Sequence, residues 1–185
     1  MRLGVFGGTF DPIHVGHLAI AQAALECVPL DRVLFVPARR SPLKERGPFA
    51  SEADRLAMLR LAIADEPRFE VSTLELEREG LSYTVDTLGL LQGRGDLYLI
   101  MGADAVSEFH RWRDPERIRD LAVLLVASRP GAPALPQDDR LVAFDAPLLD
   151  ISSRELRARA ARGRSLRYLV PDRVWEHLEA QGLYR

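Results

Sequence analysis

Short apolar runs alternate along the chain with longer segments in which apolar residues recur every three or four positions. Each run is bounded by turn or charged residues, which is typical of strands buried on both faces of a sheet. Five such strands are predicted: Leu3–Phe6, Val33–Val36, Phe69–Thr73 (the weakest pattern), Leu97–Met101 and Leu121–Val126.

The segments between these runs have the spacing of helices that bury one face. They comprise Val15–Val28, Ser51–Asp65, Thr84–Leu91, a helix that begins at Asp114-Pro115, Ser152–Arg162, and Pro171–Gln181 with Gly182 as its C-cap. Strands that alternate with helices pair in parallel and are covered on both faces. We therefore expect an α/β fold, a Rossmann-like doubly wound parallel sheet with a small C-terminal helical segment, in a single domain of residues 1–185.

Two long segments show neither pattern. Segment 37–50 contains three prolines and four basic residues, and its Lys44 could reach a phosphate or lie on the solvated surface. Segment 129–140 is rich in proline and glycine, which predicts an exposed connection or a lid.

Composition places the chain among ordinary globular proteins. A formal net charge of -2 provides no bulk field for nucleic acid or membrane, and no apolar stretch reaches the roughly 18 residues needed to span a bilayer. Gly7 and Asp11 interrupt the apolar stretch that a signal peptide would need. The single cysteine, Cys27, is expected to pack as a small hydrophobe. These features predict a cytoplasmic protein without a disulfide.

The segment Gly7–His17 links the first predicted strand to the first predicted helix and reads Gly-Gly-Thr-Phe-Asp-Pro-Ile-His-Val-Gly-His. Unpaired N–H groups and the positive end of the helix dipole meet at such a junction. Glycine lets a bulky ligand approach the main chain, and His14 and His17 add side-chain donors. The combination favours binding of a polyphosphate.

The two histidines also have other interpretations. Each imidazole could be hydrogen-bonded within a turn, or the pair could ligate a metal, although no third ligand is evident. The patterns G-x-G-x-x-G and G-x-x-x-x-G-K-[ST] are both absent from the chain. Their absence argues against a nicotinamide-dependent dehydrogenase and against a P-loop NTPase.

A second candidate phosphate-binding element lies near the other end of the chain and reads Ile151-Ser152-Ser153-Arg154-Glu155-Leu156-Arg157. Ser152 or Ser153 can cap a helix whose first N–H groups then face an anion. Arg157 lies about one turn further on, where its guanidinium could bind phosphate oxygens. A basic, solvated helix face is the alternative interpretation.

Together the two elements resemble the signatures of the nucleotidylyltransferase superfamily. Its first element is His-x-x-His or Thr-x-x-His, and its second is Ile-Ser-Ser followed by an arginine. This chain departs from the pattern at Arg154, where threonine or serine is usual. The resemblance implies nucleotidyl transfer from ATP or CTP to an acceptor.

The middle of the chain resembles one branch of that superfamily, the bacterial nicotinate-nucleotide adenylyltransferases. Ser82–Leu88 matches their Ser-Tyr-Thr-x-x-Thr segment, and Met101–Asp104 followed by Trp112 matches their Gly-x-Asp…Trp segment. Trp112 offers a surface on which a flat pyridinium could stack, and an ordinary half-buried tryptophan is the alternative.

The resemblance also implies how the acceptor is bound. In that family, N–H groups near the threonine and just after the tryptophan receive the nicotinate carboxylate, which corresponds here to Thr84 and Arg113. A pocket of donors alone would favour the acid over the amide. Asp104 would contact the nucleotide ribose or orient its loop, with a helix N-cap as the alternative.

The implied reaction is attack by the 5′-phosphate of nicotinate mononucleotide on the α-phosphorus of ATP, with Mg²⁺ held by phosphate oxygens and water and no protein metal site. The implied residues are His14, His17 and Arg157 for catalysis, Gly7, Gly8, Thr9, Phe10, Lys44, Asp104, Ser152 and Ser153 for ATP, and Tyr83, Thr84, Trp112 and Arg113 for the acceptor.

Other functions stay open at this point. A sister adenylyltransferase would act on nicotinamide mononucleotide or phosphopantetheine, and a catalytically silent module would bind ATP without turnover. ATP and nicotinate mononucleotide are the expected partners, with no nucleic acid and no membrane. The sequence leaves the oligomeric state undecided, a homo-oligomer included.

Overall fold

The computed structural model describes residues 1–128, 140–147 and 149–185, without the side chains of residues 103 and 104. Within these ranges six strands form one parallel sheet: β1 (Arg2–Gly8), β2 (Arg32–Pro37), β3 (Phe69–Val71), β4 (Asp96–Gly102), β5 (Ala122–Ser128) and β6 (Leu141–Asp145). Their order in the sheet is β3-β2-β1-β4-β5-β6. This is the order of a doubly wound Rossmann sheet, so the predicted fold class is confirmed.

Helices cover both faces of the sheet. They are α1 (Val15–Cys27), α2 (Glu52–Ile63), α3 (Thr84–Leu91), α4 (Ala103–Ser107), α5 (Pro115–Leu121), α6 (Ser153–Ala160) and α7 (Asp172–Gln181). Buried residues of α1, α2, α6 and α7 share one core, and those of α3 and α5 share the other. Strand β2 contributes side chains to both cores. Val33 and Phe35 pack in the first core, and Leu34 and Val36 pack in the second.

Local sequence signals set several helix ends as expected. The Ser51 hydroxyl accepts a hydrogen bond from the Asp54 N–H at 3.0 Å and thereby caps α2. Pro115 is the first residue of α5, where its missing N–H costs nothing. Gly182 ends α7 with φ of 60°, a left-handed conformation that glycine adopts without strain.

Several sequence expectations are wrong. Leu121 ends α5 instead of opening β5, and neither α4 nor β6 was predicted. Cys27 is exposed because it lies with the exposed Glu26 at the end of α1, beyond the residues that pack on the sheet. Of segment 129–140, only Arg140 lies within the described residues.

The strand order locates the crevice in which ligands of such sheets bind. Strand β1 pairs with β2 on one side and with β4 on the other, so the chain reverses its direction across the sheet between β1 and β4. Ligands bind outside the carboxyl ends of the strands at such a switch point. None of the helices in the described ranges is long and apolar enough to span a membrane.

Candidate active site

The loop after β1 is folded around Phe10. This residue has φ of 48°, which is unusual for a non-glycine residue, and only 2% of its surface is exposed. Its ring packs against Phe6 and His17, with centroid distances of 5.7 and 5.1 Å. A Cβ on Gly8 would lie 2.9 Å from the Phe10 ring, so glycine at position 8 permits this packing.

His14 and His17 lie side by side where α1 begins. Their rings stack with centroids 3.7 Å apart at an interplanar angle of 27°. The His14 N–H donates to Nδ1 of His17 at 3.2 Å. Since Nδ1 accepts this hydrogen bond, a neutral His17 ring carries its proton on Nε2 and can donate from there.

Burial keeps both imidazoles neutral in the unliganded protein. It lowers the pKa of His14 to about 4, and burial, followed by the charges of His14 and Lys44, holds the pKa of His17 well below its usual value. The two rings therefore act at neutral pH as uncharged hydrogen-bonding groups. The negative charge of a bound triphosphate would raise both pKa values.

Helix α6 places the second candidate phosphate-binding element, residues 151–157, in contact with the first, residues 7–17. The Ser152 hydroxyl caps α6 by accepting from the Glu155 N–H at 3.2 Å. The Ser153 hydroxyl donates to the Pro12 carbonyl at 2.9 Å, and a Cβ on Gly16 would lie 2.8 Å from Ile151. The two elements are thus in direct contact, with glycine at position 16 permitting the close approach.

Arg157 crosses from α6 to the loop after β1. Its Nη1 donates to the Asp11 carbonyl at 2.6 Å and lies 3.9 Å from the Asp11 carboxylate. Its guanidinium also covers the Phe49 ring at 4.5 Å. Arg157 is therefore held over the loop between β1 and α1.

Asp11 joins three distant parts of the chain, a role that the sequence analysis did not predict. Only 2% of its surface is exposed. Its carboxylate accepts from the N–H groups of Phe49 and Ala50 at 2.7 and 3.1 Å and from the Tyr184 hydroxyl at 2.7 Å. Burial, and then the hydrogen bond to Asp11, raise the pKa of Tyr184, so the phenol remains a donor.

Arg55 is a second residue that sequence reasoning missed. It is fully buried, and its Nη1 donates to the carbonyls of Thr9 and Ala38 at 2.9 and 2.8 Å. It thereby ties the loop after β1 to the loop after β2. A signal was available, because Arg55 lies three and four positions before Met58 and Leu59 on the buried face of α2.

A cavity of about 560 Å³ opens beside β1 and β4. It brings together most of the residues expected to bind the acceptor or ATP: Gly7, Gly8, Thr9, Lys44, Tyr83, Thr84, Trp112 and Arg113 all line it. The Lys44 ammonium donates to the Thr9 hydroxyl at 2.8 Å, so Lys44 reaches the site. Burial and the nearby Arg157 charge lower the pKa of Lys44.

The far wall of this cavity is aromatic and basic. The Arg113 guanidinium covers the Tyr83 ring at 4.7 Å, and Trp112 packs against Phe109 with centroids 5.6 Å apart. Trp112 is half-buried. The first turn of α3 begins at Thr84, where helical N–H groups have no acceptor within the helix.

A second cavity of about 270 Å³ lies on the other side of β4. It is lined by His14, His17, Ser152 and Ser153, among others, and Gly102 at the end of β4 lines both cavities. Most of the expected ATP and acceptor residues therefore divide between two adjoining spaces, whereas Phe10 and Arg157 line neither of them. Asp104 lies within α4, and Gly102 is the N-cap of that helix, so the N-cap alternative for Asp104 is wrong.

Comparison with known proteins identifies the family. Residues 5–159 match a family model described as cytidylyltransferase-like. A protein of Roseiflexus castenholzii, named a probable nicotinate-nucleotide adenylyltransferase, is 52% identical over 197 residues, which cover 100% of this chain and 98% of that protein. A protein of Thermus thermophilus with the same name is 47% identical over 188 residues, which cover 100% of both.

A solved structure with a low sequence identity has the same fold. Plasmodium falciparum nicotinic acid mononucleotide adenylyltransferase, complexed with NaAD, superposes with a TM-score of 0.78 at 16% identity, over 99% of this chain and 97% of that chain. Full-length sequence similarity and a common architecture therefore support the family resemblance that was inferred from the motifs. This chain belongs to the cytidylyltransferase-like family and, within it, to the nicotinate-nucleotide adenylyltransferases.

Proposed function

We propose that this chain transfers the adenylyl group of ATP to nicotinate mononucleotide, giving deamido-NAD and pyrophosphate. The observation that carries the proposal is the meeting of two cavities at the carboxyl end of β4. One contains the stacked histidines and the start of α6, and the other contains Trp112 and the start of α3. An acceptor phosphate and the α-phosphate of ATP would meet between them. The full-length relatives named for this activity support the assignment.

The phosphate groups of ATP would lie against the histidines and α6. His17 would donate from Nε2 and His14 from its ring to the α- and β-phosphates, with Gly7, Gly8, Thr9 and Phe10 forming the loop beneath. Arg157 and the serines at the start of α6 would bind the departing pyrophosphate, and Lys44 would approach from the opposite loop. These groups neutralise charge that develops in the transition state.

Nicotinate mononucleotide would occupy the larger cavity. Its pyridinium would stack on Trp112 beside Tyr83, and its carboxylate would accept hydrogen bonds from the N–H groups of Thr84 and Arg113. Its 5′-phosphate already carries the charge of a nucleophile. The chain therefore needs to position the reactants and stabilise charge, without a general base or a covalent intermediate.

Mg²⁺ would enter with ATP as part of the substrate. Among the described residues no group of three or more His, Cys, Asp or Glu side chains could hold a metal ion. The Asp11 carboxylate is already engaged by three donors. We expect triphosphate oxygens and water to supply the ligands that Mg²⁺ prefers.

A panel of acceptors tests this function. The purified chain is given ATP and Mg²⁺ with nicotinate mononucleotide, nicotinamide mononucleotide or phosphopantetheine, and pyrophosphate release is measured for each. We expect the highest kcat/KM with nicotinate mononucleotide. Preference for another acceptor would assign a sister activity, and no release with any acceptor would indicate a silent ATP-binding module.

A further inference from the structure

Glu75 is a buried acidic residue in the wall of the larger cavity. Its exposed fraction is 7%, yet it lines the cavity together with Tyr83, Thr84 and Trp112. One carboxylate oxygen, Oε1, accepts a hydrogen bond from the Thr87 hydroxyl at 2.6 Å. A carboxylate in this position needs a compensating partner, because burial of a charge is costly.

The basic residues around the cavity have other partners. Arg113 lies 3.7 Å from Asp86, and Arg78 donates to the same carboxylate at 2.9 Å. Arg111 pairs with Glu108 at 3.5 Å, and Lys44 donates to Thr9 at 2.8 Å. Within the described part of the chain, Glu75 is the one acidic residue that lines this cavity, and the group that donates to its Oε1 is the uncharged Thr87 hydroxyl.

The position of Glu75 beside α3, in the segment between β3 and α3, suits the distribution of charge on the proposed acceptor. Thr84 is the first residue of α3, and Thr87, which holds Glu75, lies three residues further along. Glu75 and Thr84 both line the cavity, so the start of α3 could face a ring carboxylate while Glu75 faces the positive ring nitrogen.

We propose that Glu75 is a specificity-determining residue that selects an acceptor with a positively charged, N-ribosylated pyridine ring. Thr87 would be the positioning residue that orients the Glu75 carboxylate. Trp112 stacking and the Glu75 charge would then favour the same cationic ring from two sides of the cavity. The inference rests on the proposed function and names the feature of the substrate that this site recognises.

The test compares a charged ring with an uncharged one. Nicotinate mononucleotide and its 1,4-dihydro form, in which the ring nitrogen is uncharged, are assayed at pH 8 with the wild type and with Glu75→Gln. The glutamine amide can still accept a hydrogen bond from Thr87. We expect KM for nicotinate mononucleotide to rise about tenfold, as the loss of one partly screened ion pair would produce, while KM for ATP changes by less than about twofold.

The decisive readout is the preference between the two ring forms. In the wild type the charged ring is favoured. In Glu75→Gln this preference is reduced to the part that Trp112 stacking supplies, because binding of the uncharged, reduced acceptor is little affected. A matched control is Glu77→Gln, since Glu77 is exposed and accepts from the Thr73 hydroxyl at 2.5 Å outside the cavity. Glu77→Gln is expected to retain the wild-type preference.

Two results would overturn the proposal: a preference in Glu75→Gln equal to that of the wild type, or an equal loss of affinity for both ring forms. If Glu75→Gln does not fold, Thr87→Val supplies the test, because it retains the charge and removes the orienting hydroxyl. That variant should bind nicotinate mononucleotide more weakly but still prefer the charged ring, as measured by quenching of Trp112 fluorescence, and loss of the preference would again contradict the proposal. Failure of the wild type to use nicotinate mononucleotide at all would reject the proposed function instead.

Discussion

The Tyr184 hydroxyl donates a hydrogen bond of 2.7 Å to Oδ1 of Asp11, across 173 positions of sequence. The Asp11 carbonyl in turn accepts a hydrogen bond from Nη1 of Arg157 at 2.6 Å. The penultimate residue of the chain is thus linked through one buried carboxylate to the guanidinium proposed to bind pyrophosphate. The C-terminal segment therefore supports the site as well as the core.

Substitution of Tyr184 by phenylalanine tests this link. The ring would still pack, but Asp11 would lose one of three donors, so the free energy of unfolding should fall by about 1–3 kcal/mol. Urea denaturation measures the change, and kcat should fall with it as Arg157 loses support. Tyr168→Phe is the control, because Tyr168 is 78% exposed, and equal stability of the two variants would contradict the link.

The architecture could be predicted from the sequence where burial dominates. Central strands such as β2 and β4 are continuous apolar runs because both faces are covered. Strand β6 lies at the sheet edge, and of its five residues only Phe144 is buried, so its sequence has no such run. Helix α4 has five residues, too few for a helical period to be recognised.

The candidate site was predictable only as far as local motifs extend. The segments containing His14 and Arg157 were identified as a pair, and the structure places them in contact through Ser153 and Pro12. The partners of Asp11 come from three separate parts of the chain. No periodicity or spacing encodes such long-range hydrogen bonds, because they form only once the tertiary structure brings the segments together.

Replacement of His17 distinguishes the roles of its two ring nitrogens, Nδ1 and Nε2. In His17→Asn the side-chain oxygen can still accept from the His14 N–H, but no donor reaches the position of Nε2. We expect near-wild-type unfolding and a fall in kcat of at least about a hundredfold, the scale of losing one transition-state donor. His17→Gln, with a longer amide, should recover part of the rate. Normal turnover by His17→Asn would reject the phosphate-binding role.

Trp112 is expected to act mainly on the acceptor. Trp112→Ala removes the stacking surface, so KM for nicotinate mononucleotide should rise by about tenfold or more while KM for ATP changes little. Trp112→Phe keeps an aromatic face, so its KM for nicotinate mononucleotide should lie between those of the wild type and Trp112→Ala. Steady-state kinetics with each substrate varied in turn measures both constants. Equal increases in both KM values would indicate that Trp112 only supports the fold.

The burial of His14 predicts a pH-dependent stability. Its pKa is lowered from 6.5 to about 4 in the folded chain, so the unfolded chain binds more protons between these values. The contribution of His14 to the free energy of unfolding is fully present above pH 6.5. It decreases as the pH falls towards 4, by about 3 kcal/mol in total.

Unfolding curves of the wild type and of His14→Asn between pH 8 and pH 4 measure this contribution. The packing cost of the substitution is read at pH 8, where the ring is neutral in both states of the chain. The difference in stability between the two proteins should then shrink as the pH falls. A difference that stays constant over this range would contradict the buried, neutral state of His14.

In the proposed reaction the α-phosphorus of ATP, with its adenosine, passes directly to nicotinate mononucleotide. ATP labelled at the α-phosphorus is incubated with Mg²⁺, the acceptor and either the wild type or His17→Asn, and the labelled products are separated. The wild type should place the label in deamido-NAD with one pyrophosphate released per product, and His17→Asn should form it at least about a hundredfold more slowly. Label that remains in ATP, or that appears in AMP instead, would contradict direct adenylyl transfer to nicotinate mononucleotide.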